Sequence, residues 1–222
     1  MVGPIVPARR KASNFGRVFD VLRRSFLAAA AALVAAPKIA FAQEVSLEKA
    51  MAERVLGKPE APIAITEYAS LTCPHCARFH KETLPKIKAE FIDKGKAKLI
   101  FRDFPFDGLA LRAAALARYA PPERYFAVLD TLFQQQESWS RAKDPLAALG
   151  NIGKLAGMSQ ASVDACFKDT KLMDAIVQVR LDGEKTHGVD STPTFIIGGK
   201  KISGAEPFET FDKLLKSLPG GA

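Results

Sequence analysis

Beyond residue 60 the alternation of apolar and polar positions falls into two regimes. Ile63-Ala64-Ile65-Thr66-Glu67-Tyr68 is short and dense in apolar, β-branched and small residues, which predicts a strand at the centre of a sheet. Residues 97–104, Ala-Lys-Leu-Ile-Phe-Arg-Asp-Phe, predict a second strand. Between them, residues 77–94 carry a helical period, with a kink expected at Pro85 and a stop at Gly95. From Asp107 to about Lys185 strand signals vanish, and the pattern predicts helices over 109–119, 123–139, 145–158, 159–169 and 171–187, with Asp144-Pro145 and Ser159 as caps. Strand character returns at 194–197, turns at Gly198-Gly199, continues through 200–203 and yields to a final helix over 207–217. The expected fold class is therefore α/β, with residues 60–106 and 188–218 forming one domain and 107–187 a helical domain inserted into it. Residues 43–59 read as a short helix or arm.

Charge changes the picture only at the N-terminus. The formal net charge of the 222 residues is +8, but residues 1–42 hold Arg9, Arg10, Lys11, Arg17, Arg23, Arg24 and Lys38 against the single acid Asp20. The remainder is close to neutral, so the basic balance does not point to nucleic acid. The leader reads as an export signal: a basic region, an apolar run over 26–36, then Ala40-Phe41-Ala42, a small-x-small site that places cleavage after Ala42. An anchoring helix is the alternative, but the run is short for a bilayer and Pro37-Lys38 interrupts it. Arg23-Arg24-Ser25-Phe26-Leu27 resembles a twin-arginine core, so the export route stays open. Either route leads to an oxidising compartment, which for a bacterial-style leader is the periplasm or the cell exterior.

The chain has three cysteines. Cys166 falls on an expected helix and reads as a buried inert thiol, with intermolecular pairing as the alternative. Cys73-Pro74-His75-Cys76 sits where a strand turns into a helix. The unpaired N–H groups of a first helical turn favour a thiolate at Cys73, and the His75 imidazole adds a donor or a charge. Cys76, one turn in, is then the buried resolving thiol. A stabilised thiolate stabilises the reduced form, which predicts an oxidising couple. Three competing roles stay open for the same pair. A zinc site would need further ligands from Cys166, His80, His187 and carboxylates. Two soft thiolates would also suit Cu(I), and the pair could close a purely structural disulfide.

With Glu67 six positions before Cys73 and Thr192-Pro193-Thr194-Phe195 far downstream, the motif resembles the DsbA-like branch of the thioredoxin superfamily, over nearly all of residues 58–218. That resemblance implies a thioredoxin fold with the inserted helical domain, mixed-disulfide chemistry at Cys73 resolved by Cys76, and a cis Pro193 facing the dithiol. It also implies a substrate groove at Thr192, Pro193 and Pro74, and a buried acid at Glu67 that takes the Cys76 proton through water. It further implies reduced or unfolded exported proteins as partners and a quinone-linked membrane reoxidant, with neither cofactor nor metal. Thr192 resembles isomerase-type members while the Pro-His dipeptide resembles the oxidases, so a disulfide isomerase or reductase, and beyond it a copper chaperone, compete with the oxidase. Residues 43–59 are short for a dimerisation module, which favours a monomeric oxidase. His80, one helical turn past Cys76, is expected to be solvated or to pack, with a proton relay as the alternative, and His187 to end a helix or to line the groove. Phe101, Phe104, Phe106, Tyr125, Phe126 and Phe133 are expected in the core, with Arg102 or Lys98 as candidate partners of Glu67.

Overall fold

The computed structural model describes Gly3 and residues 45–221; the export-signal reading falls outside them. Five strands form one mixed sheet in the order β1 (Val55–Leu56), β3 (Ala97–Asp103), β2 (Ile63–Ala69), β4 (Thr194–Ile197), β5 (Lys200–Ser203). β2 runs parallel to β3 and antiparallel to β4, and so holds the central position its composition predicts. β1 is an addition that the sequence pattern did not signal. This two-residue strand pairs antiparallel with β3 through Val55↔Ile100 and Leu56↔Leu99, after the short helix α1 (Leu47–Met51). Two residues are too few for an alternation to show.

Strand alternation sorts side chains between the two faces of the sheet. Ile63, Ile65, Glu67 and Ala69 of β2 stand in register with Ala97, Leu99, Phe101 and Asp103 of β3, and Ile65 and Glu67 also face Ile197 and Phe195 of β4. On the apolar part of this face Phe79, Leu84, Ile87 and Phe91 of the helix after the dithiol, with Phe211 and Leu215 of the last helix (Phe208–Lys216), complete a core. The opposite face presents Tyr68, which packs with Phe104 and Val189.

The helix over residues 74–92, α2, alternates α-helical turns at Pro74–Arg78 and Leu84–Ile87 with π-helical turns at Phe79–Thr83 and Lys88–Ile92. Pro85 explains the first π turn. Proline has no N–H, and its ring crowds the carbonyl four residues back; the turn is widened there, with the Leu84 N–H donating to the Phe79 carbonyl. Phe79, His80 and Thr83 are all buried within it.

Between β3 and β4 the chain forms only helices: α3 (Gly108–Tyr119), a 3₁₀ turn at Pro122–Arg124, α4 (Tyr125–Gln134), α5 (Gln136–Ser140), α6 (Pro145–Leu155), α7 (Gln160–Cys166) and α8 (Thr170–His187). The single helix expected over 123–139 is thus two helices with a break at Gln135. Trp139 Nε1 donates to the Leu132 carbonyl at 2.7 Å, satisfying a C-terminal acceptor of α4 and fixing the bend. Asp107, Asp144, Ser159 and Asp169 cap α3, α6, α7 and α8 through side-chain oxygens. Arg118 of α3 is buried against Asp103 at the end of β3 and donates to the Ala50 carbonyl at 3.0 Å, tying sheet, insertion and α1 together. Of the aromatics expected in the core, Phe106 is half exposed: it follows Pro105 past the end of β3 and rests on Phe104 and Arg180.

α8 returns over the Tyr68 face, and Gly183 is the point of closest approach. A Cβ there would lie 2.6 Å from Tyr68 Cε1. Gly183→Ala gains helix propensity of about 1 kcal/mol, but overpacking against a buried ring costs about 1–3 kcal/mol. The variant is expected to be less stable than the parent, seen as a lower denaturant midpoint at unchanged slope. An equal or higher midpoint would show that α8 lifts off the sheet without cost.

Candidate active site

β2 ends at Ala69, and the short loop after it is pinned from three sides. The Cys73 N–H donates to the Ser70 carbonyl at 3.1 Å. Thr72 Oγ1 donates to Asp107 at 2.6 Å, the same carboxylate that caps α3. Gln136, buried at the start of α5, donates Nε2 to the carbonyls of Leu71 and Cys73 at 2.8 and 2.9 Å. The loop therefore reaches Cys73 in a fixed direction, and the helical segment supplies two of the three ties.

Cys73 is the N-cap of α2, in extended conformation, with Pro74 opening the first turn. Proline suits that position because its missing N–H is one of those a helix start leaves unpaired. Both cysteines are free thiols. The Cys73 thiol is held down to about 5 from an ordinary 9.0. The largest cause is the Cys76 thiol donating to it; the Thr192 hydroxyl and the amide N–H groups of Cys76 and His75 add to this, against partial burial, which raises it. Sγ of Cys73 lies 3.4 Å from the Thr192 carbonyl, to which the protonated thiol donates. The Thr192 hydroxyl is buried and has no hydrogen-bond partner among the described residues, which leaves it available to the sulfur. Cys76 is the opposite case: fully buried, its thiol is pushed well above 9.0, first by desolvation, then by its role as donor to Cys73 and by the nearby charges of Cys73 and Glu67.

The residues singled out from sequence fall into three groups. Cys73, Cys76, Thr192 and Pro193 meet, and the Thr192–Pro193 peptide is cis. Pro74 and His75 lie on the exposed side of the first turn. The His75 ring makes no hydrogen bond among the described residues; the contribution of this residue to the sulfur is its backbone N–H. Glu67 is fully buried on β2 below the helix. Neither Lys98 nor Arg102 is its partner, since both project from the other face of β3, to the Pro59 carbonyl and to Glu53.

The partner of Glu67 is His80, whose Nε2 lies 3.0 and 3.1 Å from the two carboxylate oxygens. Of the two roles expected for His80, solvated or packing, the structure shows the second: His80 is 3% exposed and stacks on Phe133 of α4 at 4.0 Å. The spacing carried a signal, because His80 is four residues after Cys76 and so shares its helical face. Gln136 carried none, being one of three consecutive glutamines. His187 is the exposed last residue of α8, with its ring 5.9 Å from Tyr68. Cys166 is fully buried, which pushes its thiol up to about 12; a thiol so placed is a poor nucleophile at neutral pH.

Comparison with known proteins gives one consistent answer. A family model described as thioredoxin matches residues 49–217. A Rickettsia bellii relative that carries the name protein-disulfide oxidoreductase is 30% identical over 148 residues, 66% of this chain and 57% of that protein. The chain thus spans less than two thirds of that relative's length. Disulfide bond formation protein D of Bacillus subtilis is 28% identical over 170 residues, covering 73% of this chain and 77% of that one. The crystal structure of alpha-DsbA1 from Wolbachia pipientis superposes with a TM-score of 0.70 at 34% identity, over 76% of this chain and 91% of that one. With the dithiol at the start of α2 and a cis-proline loop beside it, the chain belongs to the thioredoxin family, on its DsbA-like branch.

Proposed function

We propose that this protein introduces disulfide bonds into reduced exported proteins by exchange at Cys73 and Cys76. The observation that carries the reading is the opposite bias of two sulfurs one helical turn apart: Cys73 favoured as an anion, Cys76 as a neutral thiol. In the oxidised protein a substrate thiolate attacks Cys73 Sγ. The Cys73–Cys76 bond breaks, and its electron pair leaves on Cys76, which is protonated. A second substrate thiolate then attacks its own sulfur in the mixed disulfide, and Cys73 departs as a stabilised thiolate. A good leaving group at position 73 drives the substrate toward its disulfide. In the groove between α2 and the cis-proline loop, an extended substrate segment pairs with the backbone at Thr192, in the manner of an added strand, against Pro74 and Pro193.

The leader pattern supports action in the periplasm after cleavage following Ala42, and the family resemblance supports reoxidation by a quinone-linked membrane partner. The protein acts as a monomer in this reading, because the segment before β2 is used to build β1 at its own sheet edge. Thr192 favours a second reading, an isomerase or reductase on the same fold. Redox titration of the couple separates the two: a potential close to that of cytosolic thioredoxin would remove the oxidase reading.

Three outcomes are expected. Alkylation of Cys73 should reach half its maximal rate near pH 5, and Thr192→Val should move that point up by about one pH unit, the size of one lost charge-assisted hydrogen bond. An unmoved point would show that the hydroxyl does not reach the sulfur.

The second outcome concerns stability. Cys73 is an acid with a depressed folded value, so its contribution is complete above the ordinary thiol value and is lost as pH falls through about 5. The raised value of Cys76 acts in the opposite sense, only above about pH 9. Reduced protein should therefore be more stable than oxidised at pH 7 by about 1–2 kcal/mol after screening at a half-exposed site, or roughly 20–45 mV. Thermal melts of both forms should converge as the pH is lowered to 5; a constant gap would contradict the thiolate as its source.

Third, Cys73→Ser should abolish oxidation of reduced ribonuclease, while Cys76→Ser should accumulate mixed disulfides visible on non-reducing gels. Activity that survives the first substitution would exclude the assigned nucleophile.

A further inference from the structure

The exchange proposed above requires Cys76 to gain and lose a proton in each cycle, yet its sulfur is fully buried. What surrounds it is mostly apolar. Glu67 stands in the central strand between Phe101 of β3 and Phe195 of β4, on the face covered by α2. Its hydrogen-bond partner among the described residues is His80, which reaches both carboxylate oxygens. In the proton-loaded pair that bond holds one proton, on Nε2 of an imidazolium facing a carboxylate or on the acid facing a neutral Nε2, and giving it up leaves a carboxylate and a neutral imidazole. The imidazole is itself enclosed by Phe133 at 4.0 Å, Phe79 at 5.6 Å and Phe101 at 6.1 Å. Cys76 lies one turn before His80 on the same helix and feels the charge of Glu67. The other titratable groups that face this pair are Cys73 at the helix mouth and the Tyr125 hydroxyl on α4, which burial and nearby acids keep protonated. The surrounding phenylalanines bring no charge.

On the reading of the dithiol given above, we infer that His80 is the positioning residue of the buried proton transfer. It holds the Glu67 carboxylate and shares a proton with it, so that the pair supplies the Cys76 sulfur when the disulfide opens. As the substrate sulfur bonds to Cys73, the electron pair of the broken bond moves to Cys76 Sγ, which takes a proton from the Glu67–His80 pair. The pair recovers the proton that the substrate thiol gave to solvent. In the reverse direction Cys76 returns its proton to the pair and attacks Cys73.

A two-phase reaction of the full chain with Ellman's reagent isolates this step. In the first phase Cys73 attacks the reagent and releases one thionitrobenzoate. In the second, Cys76 attacks the mixed disulfide and releases the other. His80→Phe keeps a ring to stack on Phe133 without a donor; His80→Gln keeps a donor without a shared proton. Both are expected to slow the second phase about a hundredfold at neutral pH, the low end of a lost acid–base contribution, and to change its pH profile. The first phase should stay as in the parent, with its inflection near pH 5.

A second phase of parental rate and profile in His80→Gln overturns the inference. So does an equal slowing of both phases, which marks a merely structural role. Should His80→Phe not fold, His80→Gln decides the matter. Loss of the first-phase inflection in the parent itself would instead count against the dithiol reading.

Discussion

Two sulfurs at the mouth of one helix are held in opposite protonation states, and the rest of the structure serves that difference. A thiol at an ordinary helix start gains from unpaired amides; here the Cys76 thiol and the Thr192 hydroxyl add donors on two further sides. The same short distance denies Cys76 an equivalent environment. It lies one turn inside, where desolvation dominates and where donating to its neighbour favours its own neutral form. The asymmetry is therefore built once, by placing one sulfur at the mouth of α2 and the other beneath it. It could not survive a shift of the helix start by a single residue.

That register is maintained from outside the sheet. Gln136 bonds the carbonyls on either side of Thr72, and Thr72 itself bonds Asp107. Both partners belong to the helical segment between β3 and β4. The same segment contributes Phe133 beneath His80, and one continuous core joins Cys76 and Ala77 to Leu129, Leu132 and Trp139. The inserted helices are thus a wall of the site, fixing the loop that delivers Cys73 and excluding water from the sulfur behind it.

Most of this architecture was legible in the chain because strand and helix periods are local properties. The runs at 63–68, 97–104 and 194–203 announce the sheet, and the position of the dithiol between a strand and a helix follows from them. What stayed hidden depends on tertiary context. β1 is two residues long, too short to display alternation. The break at Gln135 is set by a bond from Trp139 to Leu132 that no spacing rule encodes. Lys98 and Arg102 alternate correctly along β3, but alternation alone does not name the covered face, and both project away from Glu67. His80 was legible at i+4 from Cys76, but its polar character left solvated and packed positions equally open, and only burial decides between them.

The Glu67–His80 pair is hard to explain as a contribution to stability. Desolvating a carboxylate and an imidazole consumes much of what their attraction returns, and well-packed apolar side chains in place of a buried pair are often neutral or stabilising. The site offers every condition for such a replacement, with Phe79, Phe101, Phe133 and Phe195 around it on the covered face of the central strand. A core assembled for stability alone would continue that aromatic cluster. Two groups able to carry a proton stand there instead, one turn from a sulfur that exchanges one in the proposed reaction and has no exposed surface through which to do so. The cost in packing and the need in chemistry fall at the same place, and on the proposed reaction the second accounts for the first.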